Sequence, residues 1–364
     1  MTSALPPGRI RERLEDFVVD ELPAYAPSGE GGHVFVRFTK RGLSTVDAVQ
    51  AIARALSCEP REAGHAGMKD KWAVTTQTIS LQAPRGVAPA ELARRASEVS
   101  LEGITVHEAT PHGHKIKPGH LAGNRFALVV RGVPVDRLAE VTAAFERVRR
   151  EGVPNAFGPQ RFGRGGDNAA RALAWLTGKE RGPREPRMQR LLWSSLQSAA
   201  YNKVLDARVE DGTWATPIEG DLLKLHASGG LFVCTDVQTD RARGEAGDVS
   251  PTGPIVGARM SWPTGAPLDL ERRIVTETLG EAFDLDRTRR LGEGSRRALR
   301  LWVGELRWEV IEDDPGNAAA CILVYFVLPK GAYATTVLAA GVAIEEPHSR
   351  RGAPPAGSGG EEGD

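Results

Sequence analysis

The run AACILVYFVL, residues 319–328, carries no charged side chain and mixes β-branched with aromatic residues. It lacks the alternation of polar and apolar residues that marks a half-solvated strand, so it reads as a strand buried on both faces. No other strand-like stretch in the C-terminal half is comparably apolar. The economical arrangement sends this strand back into a sheet built by the N-terminal part of the chain, which makes the middle of the chain an insertion.

The N-terminal part supplies the elements for such a sheet. DFVVDEL (16–22) and HVFVRF (33–38) read as strands, the second with Val34, Val36 and Phe38 at period two, and PAYAPSGEGGH (23–33) is the turn between them. LSTVDAVQAIARALSC (43–58) puts Val46, Val49, Ile52, Ala53 and Leu56 on one helical stripe, with Ser44 or Thr45 as cap. TTQTISLQ (75–82) and NRFALVVRGV (124–133) read as further strands. DRLAEVTAAFERVRR (136–150) reads as an amphipathic helix with Leu138, Val141, Phe145 and Val148 on its apolar face. Strands and helices alternate, which predicts an α+β or mixed α/β class.

At EGVPNAFGPQRFGRGGDN (151–168) the texture turns to Gly, Asn and Arg, as at a domain boundary. Helices are expected at about 168–177 and 187–209, followed by Gly-rich, strand-like pieces to about 300. The expected organisation is a discontinuous domain of residues 1–151 plus 303–344, an inserted domain of 152–302, and a disordered tail of 345–364.

The 364 residues carry equal numbers of acids and bases, and 41% are hydrophobic and 26% charged, which is ordinary for a globular protein. The tail is rich in Gly and Pro, with five acids against two arginines, so the rest of the chain is net +3. KERGPREPRMQR (179–190) and HGHKIKPGH (112–120) are basic patches suited either to phosphates or to plain solvation; composition leaves nucleic acid undecided. No apolar run is long enough for a membrane span, and the N-terminus lacks the apolar centre of a secretory signal, so a cytoplasmic location is expected. Cys58, Cys234 and Cys321 are too few and too far apart for a disulfide framework or a CxxC metal pair.

Several chemistries lack their signatures. His112, His114 and His120 lie close together beside lysines, without HExxH or paired Cys/His spacing. The glycine-rich pieces GRGGDN (163–168) and GEGG (29–32) are not phosphate loops, and no GxSxG elbow is present. What remains is GHAGMKDKWAVTTQ (64–77), where Asp70 stands between Lys69 and Lys71 in a loop leading into a strand. Spacing alone leaves Asp70 either a turn-capping aspartate or a reactive carboxylate.

EDFVVDELPAYAPSGEGGH, AGMKDKWAVTTQTIS, KIKPGHLAGNRF, GVPNAFGPQRFGRGGDN, PTGPIVG and FVLPKGAYATTVL together resemble the TruD family of tRNA pseudouridine synthases, in the family's order and from about residue 8 to residue 338. The resemblance implies isomerisation of uridine 13 of tRNA to pseudouridine, without cofactor or metal. It also implies a pseudouridine-synthase domain interrupted by a TRUD domain, with RNA in the cleft between them. The aspartate of the family's GxKD motif maps onto Asp70 as nucleophile. A carboxylate suits the step, because it can attack a sugar carbon and stabilise developing positive charge there, and an ordinary aspartate with a pKa of about 3.9 is ionised at neutral pH. The family's mechanism is framed either as attack on ribose or as a glycal route, and both stay open.

The remaining roles follow motif by motif. Phe126 of GNRF matches the residue on which the flipped base stacks. Asn124 matches a partner for a base edge or for the carboxylate, and Phe17 of EDF and Tyr333 of GAYAT fall in motifs lining the same pocket. NAFGPQRFG (155–163) is expected to shape hinge and cleft. Two departures stand out: Arg11 replaces a usual lysine as supporting cation, and Gly32 replaces a common glutamate. The expected partner is tRNA, with no membrane, and a monomer is favoured. The alternative reading is a non-catalytic tRNA-binding protein on the same fold.

Overall fold

The structure is a computed structural model that describes residues 4–163, 165–281, 283–311 and 319–346. Its strands, in chain order, begin with β1 (Pro7–Arg9), β2 (Phe17–Pro23), β3 (His33–Arg41), β4 (Gly64–His65), β5 (Val74–Gln82), β6 (Ser100–Leu101), β7 (Ile104–His112) and β8 (Leu121–Pro134). They continue with β9 (Val153–Pro154), β10 (Leu222–Leu225), β11 (Leu231–Val233), β12 (Val249–Ile255), β13 (Ser295–Ala298) and β14 (Arg300–Leu301). The last are β15 (Gly304–Ile311), β16 (Ala319–Pro329) and β17 (Ala343–Glu345). The helices are α1 (Thr45–Ala55), α2 (Pro89–Ser97), α3 (Leu138–Glu151), α4 (Asn168–Leu176), α5 (Pro186–Glu210), α6 (Val237–Glu245), α7 (Gly265–Leu279) and α8 (Ala334–Leu338).

The chain divides into two compact units, one holding the described residues of Met1–Glu146 and Val303–Asp364, the other Arg147–Trp302. In the first unit one mixed sheet runs β15-β16-β8-β2-β5-β3-β7-β6, with β1 joining at β8 and β4 at β5. β16, the apolar run of residues 319–328, lies antiparallel to β8 from Ala319↔Pro134 to Pro329↔Gly123, so the C-terminal chain does return to the N-terminal sheet. Its Ile322, Val324, Phe326 and Leu328 are buried, but Leu323, Tyr325 and Val327 on the other face are only half-buried, so the strand is covered on one face and not on both as its sequence suggested. β2 and β5 pair in parallel and every other neighbouring pair along this order is antiparallel, which makes the class mixed α+β.

α1 packs on this sheet through Ala48, Val49, Ile52 and Ala53 against Val34, Val36, Phe38, Ile79 and Leu81. Ser44 caps it, its hydroxyl oxygen accepting from the Asp47 amide. Val46, expected on the apolar stripe, is instead exposed. It sits about a quarter turn from the centre of the stripe, which runs through Thr45, Ala48, Val49 and Ile52.

In the second unit β11-β10-β12-β13 form an antiparallel sheet and β14 pairs with β9. α5 supplies the spine of its core: Trp193 and Leu196 pack with Ala172, Val256 and Leu279, and Trp193 stacks on Phe283. Two segments expected as strand-like pieces are the helices α6 and α7. α6 has the sequence VQTDRARGE with no apolar stripe, and Asp236 starts it by accepting from the Thr239 amide. α7 opens on Gly265 and Pro267, residues that disguise a helix start, yet buries Ile274, Val275 and Leu279 further along. NAFGPQRFG is clasped within this unit: Asn202 of α5 accepts from the Phe157 amide and donates back to its carbonyl, and the Arg297 guanidinium lies 4.2 Å from the centre of the Phe157 ring.

The first residue of the expected tail, Glu345, lies in a strand. Glu345 ends β17, which lies parallel to β1 with Pro7↔Ala343 and Arg9↔Glu345, while residues 347–364 lie outside the described part. The Ala343 amide donates to Pro6 and the Ile10 amide to Glu345. A chain ending at Val342 therefore loses a strand whose hydrogen bonds contribute about 0.5–1.5 kcal/mol each. We expect its melting temperature to fall by several degrees in a thermal scan, whereas a chain ending at Glu346 keeps the strand and unfolds as the full chain does.

Candidate active site

The site grows from the ends of β2, β3 and β8 and the loop between β4 and β5. That loop carries Met68, Lys69, Asp70, Lys71 and Trp72, and Asp70 is exposed, with 57% of its side chain open to solvent. A carboxylate on an exposed loop needs anchors if it is to hold one position, and three are present. The Arg11 Nη2 lies 2.7 Å from Asp70 Oδ2. The Lys40 ammonium donates to the backbone carbonyl of Asp70 at 2.7 Å. The Lys69 amide donates to the Thr45 hydroxyl at 2.8 Å, which ties the loop to the first turn of α1.

Arg11 precedes the short 3-10 turn Leu14–Asp16 that feeds β2. Its backbone is in the left-handed region, φ 61°, which costs a non-glycine residue on the order of 1–2 kcal/mol. The chain holds that conformation with its side chain aimed at the loop: the guanidinium sits 3.9 Å from the centre of the Phe17 ring as well as on Asp70, and Nη1 is 3.7 Å from Glu346 Oε2. The turn itself is pinned by Asp16, fully buried and paired with Arg131 of β8 at 2.7 Å, with the Arg13 amide on its other oxygen.

Beneath the loop lies a buried polar bridge. Lys69 Nζ is 2.8 Å from Glu21 Oε2 and donates to Asn124 Oδ1 at 2.6 Å, and Glu21 faces Asn124 across the β2–β8 ladder. Asn124 is placed by a close strand crossing: a Cβ on its neighbour Gly123 would stand 2.4 Å from the Leu328 carbonyl oxygen, so glycine there lets β8 and β16 approach. Asn124 is thus spoken for by Lys69 rather than by Asp70.

Phe126 is also on β8 but only 6% exposed, stacked on Phe326 at 5.2 Å and edge-on to Phe17 at 6.4 Å. The aromatic pair Phe17 and Phe126 therefore packs as a buried floor, with Arg11 laid across Phe17. Tyr333 is half-buried at the N-cap of α8, four residues past the Pro329↔Gly123 pair. Among the described residues no hydrogen bond, ion pair or ring contact joins it to the others. The structure thus puts Arg11 in contact with both Asp70 and Phe17, links Phe126 through Phe17 and Asn124 through Lys69, and leaves Tyr333 attached only by chain position.

Sequence reasoning missed Lys40 and Glu21. Lys40 is fully buried, and burial pushes its pKa down to about 8 against the opposing pull of Asp70, with Lys69 pushing the same way as burial. The signal was in the alternation: Val34, Val36, Phe38 and Lys40 share one face of β3, and Phe17, Val19 and Glu21 one face of β2. A charge standing in a register of core residues is a polar group that the fold buries for a reason.

His112, His114 and His120 gather elsewhere in this unit around Tyr25 and Phe35: the Tyr25 hydroxyl is 2.7 Å from His120 Nδ1, and His112 and His114 are 3.1 Å apart through their Nε2 atoms. Burial lowers the His112 pKa, and His114 and His33 add to the shift. Among the described residues no group of three or more His, Cys, Asp or Glu side chains is placed to hold a metal ion, and no helix is long and apolar enough to cross a membrane. Cys58, Cys234 and Cys321 are free and buried.

A mixed sheet closed by a strand from beyond an inserted unit, with one exposed aspartate on a cation-anchored loop, defines a class of fold that has a solved counterpart. The structure is similar to a crystal structure from Methanosarcina mazei titled a putative tRNA pseudouridine synthase D (TruD), with a TM-score of 0.75 and 22% identity over 94% of this chain and 95% of that one. The chain belongs to the family described as tRNA pseudouridine synthase D (TruD), whose model matches residues 5–179 and 183–340. It is 41% identical to a tRNA pseudouridine synthase D of Anaeromyxobacter sp. (strain Fw109-5) over 93% of this chain and 94% of that one. It is 36% identical to that of Geobacter metallireducens, over 93% and 96%.

Proposed function

We propose that the chain is an isomerase that converts uridine in tRNA to pseudouridine, at position 13, with Asp70 as the nucleophile. The observation that carries this reading is the exposed Asp70 carboxylate, held by Arg11 through its side chain and by Lys40 through its backbone, in a chain of this family. The reaction detaches uracil from C1′ of the ribose through nitrogen and reattaches it through C5, so no atom is gained or lost and no electron is transferred to a partner. A carboxylate that stabilises positive charge at the sugar while the base turns is what this chemistry asks of the protein.

In this reading the first unit is the catalytic domain and the second the inserted TRUD domain. Phe17 and Phe126 form the floor beneath the reacting nucleoside, Asn124 orients Lys69 under the loop, and Tyr333 lines the pocket from α8. The enzyme works in the cytoplasm, where its tRNA substrate is. Incubating the purified protein with an unmodified tRNA transcript and mapping pseudouridine tests the proposal. A single new pseudouridine at position 13 is the expected result, and a transcript left unmodified at every uridine overturns it.

A further inference from the structure

Lys40 is the least economical residue in the first unit. It is fully buried, and among the described residues its Nζ makes no ion pair and donates only to a neutral group, the Asp70 carbonyl at 2.7 Å. Its nearest charges are Asp70, which favours the ammonium, and Lys69, which opposes it. Everything else packed around β3 is neutral there: Thr75 stands opposite Lys40 on β5, Ile104 on β7, and the buried faces of α1 and α2 are Thr45, Ala48, Val49, Ile52, Leu92 and Ala96. Burying an ammonium without a carboxylate partner disfavours the folded state, and a methionine of similar length would pack in its place without that cost. A fold that keeps the charge keeps it for the site it touches.

Resting on the reading of Asp70 as nucleophile, we propose that Lys40 is a positioning residue for it. Its ammonium, donating from the core to the Asp70 carbonyl, fixes the backbone of the exposed loop and lays a positive charge under the carboxylate. The loop is exposed at Met68, Asp70 and Trp72. Arg11 holds the Asp70 side chain and the Lys69 amide holds the residue before it, while Lys40 is the anchor on the backbone of Asp70 itself. Without it the carboxylate is held less firmly in the position from which it reaches the sugar. Misplacement by about 1 Å can slow a reaction by roughly a hundredfold.

The ammonium loses its proton near pH 8, and with it the charge beneath the loop. Wild-type single-turnover rate on a saturating tRNA transcript should hold level up to about pH 8 and fall above it, while tRNA affinity changes little. Lys40→Met should be ten- to a hundredfold slower at pH 7, bind tRNA within threefold of wild type, and show no break near pH 8. Its melting temperature at pH 7 should equal or exceed that of wild type, because below pH 8 the lysine is charged in both states and its burial penalises only the folded one.

A wild-type rate that stays level from pH 7 to 9.5 overturns the proposal even if Lys40→Met does not fold. So does a Lys40→Met enzyme at wild-type speed, or one whose rate keeps the wild-type break. Asp70→Asn measured beside them separates the two readings: activity in that variant removes the nucleophile, whereas an inert Asp70→Asn with a fast Lys40→Met removes only the role of Lys40.

Discussion

Asp70→Asn abolishes pseudouridine formation and leaves tRNA affinity within about tenfold of wild type. The substitution keeps the volume and the backbone, so the carbonyl that accepts from Lys40 and the amide of Lys69 that donates to Thr45 are untouched. Asparagine also offers an oxygen to Arg11 Nη2, so the guanidinium over Phe17 retains a partner. What disappears is the negative charge to which the proposed function gives the attack on, or stabilisation of, the sugar. A loss of about a thousandfold or more, at about 1.36 kcal/mol per factor of ten, corresponds to about 4 kcal/mol of transition-state stabilisation. If the loop faces RNA as proposed, removing a negative charge from it cannot weaken phosphate contacts by repulsion, which is why affinity should hold. Single-turnover assays on one transcript, with filter binding in parallel, decide it: turnover above a few per cent of wild type means another group is the nucleophile.

How much of this was legible in the sequence differs by element, and the differences have physical causes. β16 announced itself because it is apolar throughout: one face, with Ile322, Val324, Phe326 and Leu328, is buried, and the other, with Leu323, Tyr325 and Val327, is half-buried rather than covered as the sequence suggested. α1 was readable from its cap and stripe, and only Val46, at the edge of the stripe, faced the other way. α6 was illegible because its nine residues carry no apolar face; a local cap and the packing of the unit hold it as a helix against a weak local signal. Within the site, Asp70 and Arg11 came from motif resemblance, and no spacing rule would have joined residues 59 positions apart. Lys40 and Glu21 carried a visible signal, a charge in a core register, but reading it requires knowing that the strand's other face is the solvent face. Phe126, against which Phe17 packs, is itself stacked on Phe326, which arrives from the far end of the chain.

Arg11 is the position where resemblance and geometry pull apart, since the family's usual residue there is lysine. An ammonium could reach Asp70 from this place, but it could not also lie flat on Phe17 while spanning toward Glu346, as the guanidinium does. Stability should hardly register the loss of the pair. Asp70 is more than half exposed, and ion pairs of that kind contribute about 1 kcal/mol or less. Alanine at this position also keeps the left-handed backbone, so no strain is relieved to offset what is lost. The rate is where Arg11 should count, because a carboxylate that must hold one orientation through bond breaking depends on the partner that orients it. Arg11→Ala is therefore expected to lose about 2–4 kcal/mol of transition-state stabilisation, with a melting temperature within a few degrees of wild type. Arg11→Lys should restore the charge without the stacking and stay within about tenfold of wild type. Single-turnover rates for the two variants on one transcript separate charge from shape: lysine as slow as alanine makes the flat guanidinium the essential feature, and alanine as fast as wild type places Arg11 outside the working site.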